Sequence, residues 1–211
     1  MKTTIPFILL IIIAGTFWQC GNSQPKKSIE DLRTALNTES TTAEKYARFS
    51  QKAMEEGFDT IAKLFEAVSK SESIHAVNHG KVLEKLEKKV TIAVTGTFEV
   101  KTTAENLETA INGETYDLQT MYPGFIRNSE NEKAPDAAKS YTWAREAEKK
   151  HLYYYQQASA AILKGNESGL SFTWYVCPTC GNTYNPTDLK SSCDFCLTKQ
   201  ENFIGYTEKP E

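Results

Sequence analysis

Apolar residues recur at three- and four-residue spacing in four stretches of the chain, as they do on one face of an α-helix. The first stretch starts at Ser28, a candidate N-cap, and runs to Gly57, a residue type that commonly ends helices. The second begins one residue later. The third follows Thr102 and Glu105, which have the spacing of a capping box, and the fourth ends at Gly165. This pattern predicts a mainly α fold, in which four amphipathic helices form a bundle.

Two features interrupt the helical pattern. Residues 90–100 are rich in valine, threonine and isoleucine around Gly96, which indicates an extended connection or a short hairpin. Pro123 lies inside the third stretch, where its missing N–H is expected to bend the helix or end it early.

Ionisable residues occupy inward positions in all four predicted helices. Two of the helices carry the same sequence motif, Glu-x-x-His, which places a carboxylate and an imidazole on one helix face. The first and third helices carry Glu39 and Glu114, respectively, in line with their apolar residues. Asp117 lies one helical step after Glu114. The set comprises Glu39, Glu72, His75, Glu114, Asp117, Glu148 and His151.

A buried acid without a partner costs several kcal/mol, so such a cluster would oppose folding unless cations neutralised it. The alternative is that the acids tilt to the surface, or that the inward face is assigned one residue out of place, but either would need the same coincidence in four helices. Five acids and two imidazoles match the needs of two iron ions in a helix bundle, and this oxygen-rich set favours iron or manganese over copper. We expect Glu72 and Glu148 to bridge the ions, because each has a histidine beside it. His79 is expected to be a packed or solvent-edge residue and not an eighth ligand.

A second metal site is indicated near the C-terminus by two C-x-x-C units. Cys177 and Cys180 form the first unit, and Cys193 and Cys196 form the second, with twelve residues between the units. Two structural disulfides are the alternative. The spacing accepts either zinc or iron, since both bind four thiolates.

The N-terminus has the features of a targeting segment. In residues 1–20, Lys2 precedes an unbroken apolar run from Phe7 to Ala14, which is too short for a comfortable membrane span. Cys20 then suggests a lipoprotein that is lipidated at this cysteine, although an uncleaved anchor with an incidental thiol is also open. Residues 21–27 are expected to form a tether. These features predict an exported protein, tethered to a membrane and facing the periplasm or cell envelope.

Charge excludes one class of partner. The chain of 211 residues has a formal net charge of −3 and no basic patch, so nucleic acid is not an expected partner.

Taken together, these motifs resemble the rubrerythrin family over nearly the whole chain after residue 28. The resemblance implies a ferritin-like di-iron four-helix bundle over residues 28–166 and a small rubredoxin-like metal-knuckle domain over residues 172–211. The motifs that carry it are Thr38-Glu39-Ser40 with Tyr46, Glu72-Ser73-Ile74-His75, Gly113-Glu114-Thr115-Tyr116-Asp117, Met121-Tyr122-Pro123, Ala147-Glu148-Lys149-Lys150-His151, and Tyr175-Val176-Cys177-Pro178-Thr179-Cys180-Gly181.

The resemblance implies a non-haem di-iron peroxidase that reduces hydrogen peroxide to water. It further implies iron in the four-cysteine site as the electron relay, and a homodimer in which the relay of one subunit serves the di-iron site of the other. Tyr46 and Tyr122 match tyrosines that line the di-iron pocket, where they are candidates to bind or protonate peroxide. The electron donor is not identified by the sequence. A ferroxidase or iron-handling protein and a non-enzymatic, envelope-tethered redox or metal-binding module are the alternatives.

Three features depart from the family pattern. Asp117 stands where glutamate is usual, so its iron is expected to be held less tightly or through a water. Leu197 follows the last cysteine where glycine is common, which predicts strain in the second knuckle. The export signal is unusual for a family that is mostly cytoplasmic.

Overall fold

The computed structural model describes residues 24–87, 90 and 96–207, and its main body is a bundle of long helices, as predicted. The helices are α1 (Lys26–Glu55), α2 (Asp59–Leu86), α3 (Thr103–Tyr116), α4 (Tyr122–Asn131) and α5 (Pro135–Leu163).

The start of α1 differs from the sequence prediction. Ser28 is not its N-cap, because the helix begins two residues earlier, at Lys26, inside the segment expected to be a tether. The carboxylate of Glu132, from the loop before α5, accepts hydrogen bonds from the backbone N–H groups of Lys27 (3.0 Å) and Ser28 (2.7 Å). A distant side chain therefore satisfies the free N–H groups that a local cap would otherwise serve.

A single π-helical turn, Asp117–Met121, joins α3 to α4. The capping box of Thr102 and Glu105 is confirmed at the start of α3, whereas Pro123 does not end the helix but lies in the first turn of α4. Glu114 and Tyr122 are eight positions apart, which is roughly 80° out of register in a regular α-helix. The π turn takes up the extra residue, and both side chains are buried.

Two apolar cores fill the bundle, one toward each end. One contains Phe49, Phe65 and Tyr155, and the other contains Leu36 and Tyr141. Along each long helix, the predicted inward acids fall between residues of the first core and residues of the second. The acids thus form a polar layer between two apolar cores.

The C-terminal region is a three-stranded antiparallel sheet that packs on the bundle. Its strands are β1 (Trp174–Val176), β2 (Thr183–Tyr184) and β3 (Ile204–Tyr206), in the order β2-β1-β3. Trp174 lies edge-on to Tyr154 of α5, with 4.7 Å between ring centroids, and the side chain of Val176 joins the first apolar core.

None of the helices in the part of the chain that the structure describes is both long and apolar enough to cross a membrane. The predicted targeting segment and Cys20 lie outside the described residues.

Strain in the second knuckle is visible at Leu197, which has a φ of 60° and a largely exposed side chain. This left-handed conformation costs a non-glycine residue about 1–2 kcal/mol. That cost exceeds the free energy that glycine loses because its unfolded chain is more flexible.

We therefore expect Leu197→Gly to stabilise the protein by up to about 1 kcal/mol and to slow release of the metal to a chelator. Lys133→Gly is the matched control, because its φ of 55° lies in the loop before α5. It should raise the unfolding midpoint without slowing metal release, and equal release rates for all three proteins would contradict the prediction.

Candidate metal centres

Six of the seven predicted bundle ligands converge at one place in the polar layer, and each is no more than 1% exposed. They are Glu39 from α1, Glu72 and His75 from α2, Glu114 from α3, and Glu148 and His151 from α5.

These residues fall into two overlapping groups whose possible ligand atoms lie within 4.8 Å of one another. One group comprises Glu39, Glu72, His75 and Glu148, and the other comprises Glu72, Glu114, Glu148 and His151. Glu72 and Glu148 belong to both groups. This is the arrangement expected if these two carboxylates lie between two ions.

Each imidazole faces both shared carboxylates. His75 Nδ1 is 2.8 Å from Glu72 Oε2 and 3.1 Å from Glu148 Oε1. His151 Nδ1 is 2.7 Å from Glu148 Oε2 and 3.2 Å from Glu72 Oε1. The near symmetry follows from the identical Glu-x-x-His spacing on α2 and α5.

The electrostatics of the cluster favour a bound cation. Burial, together with the neighbouring acids, raises the pKa of Glu39, Glu114 and Glu148 well above the usual value. Burial also disfavours the charged form of Glu72, but the charges and hydrogen bonds of His151 and His75 outweigh it and hold the pKa of Glu72 below its usual value.

Unpartnered oxygens show that the cluster fits metal ions. Glu72 Oε1, Glu114 Oε2 and Glu148 Oε1 are buried and accept no hydrogen bond from any described residue. Such oxygens are costly in a protein core unless a cation binds them. The residues present therefore suit two divalent ions with carboxylate and imidazole ligands.

Asp117 and His79 lie outside both groups. Asp117 is 9% exposed at the start of the π turn, and burial together with the charge of Glu72 raises its pKa to about 7. His79 is fully buried and is hydrogen-bonded to other side chains.

The two predicted pocket tyrosines each donate a hydrogen bond to a carboxylate of the cluster. Tyr46 donates to Glu114 Oε1 at 2.7 Å, and Tyr122 donates to Glu39 Oε1. Tyr155, which the sequence analysis did not single out, has a buried hydroxyl that makes no hydrogen bond with any described residue. Tyr155 lies seven residues after Glu148, about two helical turns, and this spacing could have placed it on the same helix face as the ligands.

The four C-terminal cysteines also converge. Sulfur atoms of Cys177 and Cys196 are 3.4 Å apart, as are those of Cys180 and Cys193, and none of these four forms a disulfide. A disulfide would bring the sulfurs to about 2.05 Å. Four sulfurs at this spacing suit one tetrahedral metal ion. Cys196 alone of the four is partly exposed.

The cysteine cluster contacts the bundle of its own chain through the residues that follow Cys180. The carbonyl of Gly181 accepts a hydrogen bond of 2.5 Å from Ser71 Oγ, and Thr183 Oγ1 is 3.0 Å from His151 Nε2. This contact lies within one chain, and the relay between subunits that the resemblance implies stays a prediction. Ser71 and Thr183 were missed by the sequence analysis, because no local motif distinguishes them.

The raised carboxyl pKa values predict an unusual stability profile for the metal-free protein. Above the ordinary glutamate pKa of 4.5, the folded state keeps protons on Glu39, Glu114 and Glu148 that the unfolded state has lost. The free energy of unfolding should therefore fall as pH rises from about 5 to 8. Glu72 does not oppose this trend, because its lowered pKa leaves it ionised in both the folded and the unfolded state above about pH 5.

Metal should reverse the profile, because deprotonated carboxylates bind cations more tightly as pH rises. The measurement is the melting temperature of metal-free and metal-loaded protein across this pH range. Glu114→Gln should flatten the slope of the metal-free protein. Greater stability of the metal-free protein at pH 8 than at pH 5 would contradict the prediction.

Comparison with known proteins identifies relatives of this arrangement. The family model described as Rubrerythrin matches residues 30–159. The chain is 29% identical over 175 residues to Rubrerythrin-2 of Clostridium acetobutylicum, covering 83% of this chain and 94% of that protein. It is 30% identical over 182 residues to Nigerythrin of Nitratidesulfovibrio vulgaris, covering 85% of this chain and 86% of that protein. The solved structure of fully reduced, all-ferrous nigerythrin has a TM-score of 0.77 at 28% identity and covers 85% of this chain and 86% of that chain.

Proposed function

We propose that this chain, which belongs to the rubrerythrin family of di-iron oxidoreductases, is a peroxidase that reduces hydrogen peroxide to water. Its two metal centres are a rubrerythrin-type di-iron site in the bundle and a four-cysteine iron site of the rubredoxin type. The observation that carries the proposal is the contact between these centres within one chain, since a peroxidase needs electrons delivered to the place where peroxide binds.

The two ligand groups suggest how the ions are held. Glu39 and His75 would bind one ion, Glu114 and His151 would bind the other, and Glu72 and Glu148 would bridge them. Bound there in the ferrous state, the pair supplies two electrons for cleavage of the O–O bond and positive charge that stabilises the oxygen atoms released.

Protein side chains would supply the rest of the chemistry. Reduction of one peroxide to two waters consumes two electrons and two protons. Tyr46 and Tyr122 present hydroxyl donors at the cluster, and we assign them to hydrogen-bond peroxide or to donate protons. The apolar cores on both sides of the cluster limit the entry of bulk water.

Electrons would enter at the four-cysteine site and pass toward the bundle. Cys196 is partly exposed to solvent, whereas Cys180 is buried and is followed by Gly181, which is hydrogen-bonded to Ser71 of the bundle.

We also expect a homodimer. The contact within one chain supports relay inside each subunit, so dimerisation need not be a condition for electron delivery.

Stopped-flow reoxidation of the fully reduced protein tests the proposal. Mixing with hydrogen peroxide should reoxidise the di-iron site at least about tenfold faster than mixing with oxygen, because a peroxidase site stabilises the transition state for cleavage of peroxide. Faster reaction with oxygen would favour a ferroxidase or iron-handling protein. Slow reaction with both would favour the non-enzymatic module, as would a colourless, zinc-filled four-cysteine site in place of the red ferric thiolate.

We further propose that the protein is exported and lipidated at Cys20, a proposal that rests on the sequence of the first 20 residues. Radiolabelled palmitate should be incorporated into the wild-type protein in cells and not into Cys20→Ala. Equal labelling of the two, or recovery of both with residues 1–20 intact in the cytoplasm, would contradict it.

A further inference from the structure

His79 is a buried imidazole that belongs to neither ligand group. It lies on α2 one helical turn beyond His75 and is completely buried against the rings of Tyr122 and Tyr141. Both of its ring nitrogens have partners. Nε2 is 3.2 Å from the hydroxyl of Tyr122, and Nδ1 is 2.8 Å from Ser140 Oγ of α5.

The direction of these hydrogen bonds can be worked out from Glu39. As a metal ligand, the Glu39 carboxylate can only accept, so the single proton of the Tyr122 hydroxyl must point to Glu39 Oε1. The Tyr122 oxygen can then only accept from His79, which requires a proton on Nε2. Burial lowers the pKa of His79 to about 3, so the ring is neutral and its Nδ1 has no proton. Nδ1 therefore accepts from Ser140 Oγ.

We propose that His79 is a positioning residue, which in its Nε2–H tautomer fixes the Tyr122 hydroxyl as a donor to Glu39. The chain of donors runs from Ser140 to His79, from His79 to Tyr122, and from Tyr122 to the carboxylate. Without it, the phenol proton could turn away from Glu39, and the buried carboxylate would lose a hydrogen bond that orients it.

The role in turnover rests on the proposed peroxidase function, in which the Tyr122 proton would leave Glu39 before the hydroxyl could donate to peroxide. The tautomer and the orientation of Glu39 do not depend on that function. Measurements of tautomer and metal affinity can therefore succeed or fail independently of peroxide turnover.

Long-range proton–nitrogen NMR correlation on the full-length protein loaded with zinc, which is diamagnetic, reports the tautomer directly. We expect His79 to show a protonated Nε2 and an unprotonated Nδ1. Ser140→Ala should broaden or mix this state, because Nδ1 loses its donor. A protonated Nδ1, or an imidazolium, in the wild-type protein would overturn the proposal.

Two substitutions separate positioning from simple filling of space. Glutamine at position 79 can present an amide N–H near the place of Nε2, whereas asparagine reaches only the place of Nδ1. In a chelator competition for zinc, we expect His79→Gln to stay within about 3-fold of the wild-type bundle affinity and His79→Asn to bind about 10-fold more weakly, as is typical when an outer hydrogen bond to a ligand is lost. Equal affinities for the two variants would overturn the role.

Discussion

Glu148→Ala is expected to lose the iron of the bundle and at least about 100-fold of peroxide turnover. Glu148 belongs to both ligand groups, and its oxygens lie 3.1 Å from His75 Nδ1 and 2.7 Å from His151 Nδ1. Removal of this carboxylate therefore takes one ligand from each ion. Metal analysis and steady-state turnover measure the loss directly.

The same substitution should change stability in opposite directions in the two forms of the protein. Metal-free Glu148→Ala should melt at a higher temperature than metal-free wild type at pH 8, because burial and Glu72 make the ionised Glu148 unfavourable. The metal-loaded variant should melt lower than metal-loaded wild type. Glu146→Ala is the matched control on the same helix, because Glu146 contacts Lys149 and Arg145 at the surface. Full turnover by Glu148→Ala would refute the assignment of the ligands.

Gly181→Ala is expected to separate the cysteine cluster from the bundle. A Cβ at this position would lie 2.5 Å from His75 Nε2 and 3.0 Å from Ser71 Oγ, and the φ of +83° disfavours any L side chain. His75 cannot move away easily, because its other nitrogen faces Glu72 and Glu148. The Gly181 carbonyl would therefore lose its bond to Ser71.

Electron transfer from the four-cysteine site to the di-iron site should then slow by at least about tenfold, since the contact that carries it widens. The four-cysteine iron should remain bound and red, which flash reduction followed at its visible absorption would show. Gly205→Ala is the matched control, in β3 of the same C-terminal region, where an added Cβ meets only ordinary contacts at 3.6 Å and beyond. An unchanged transfer rate in Gly181→Ala would place the electron route elsewhere, for example between subunits.

Much of the bundle could be predicted, because helical periodicity fixes which side chains share a face. Glu39, Glu72 and Glu148 fell in line with apolar residues, and regular α-helix carries them inward as expected. Each C-x-x-C unit likewise places two sulfurs close together by its local spacing, and the fold of the C-terminal region brings the two units into one group.

Other features depend on contacts that local spacing does not encode. Asp117 was expected beside Glu114 as a further ligand, but its side chain, one methylene shorter than glutamate, lies outside both groups. The start of α1 depends on Glu132, more than one hundred residues away in the sequence. The contact of Gly181 with Ser71 also joins distant segments, and periodicity says nothing about how a sheet sits on a bundle.

Cellular abundance of this protein should follow the supply of iron, even at a constant rate of synthesis. The polar layer between the two apolar cores leaves a newly made chain with clustered acids until cations arrive. Chains that remain empty open more often, and proteases degrade chains in proportion to how often they open. Degradation would thus remove the copies without metal and spare those that hold it.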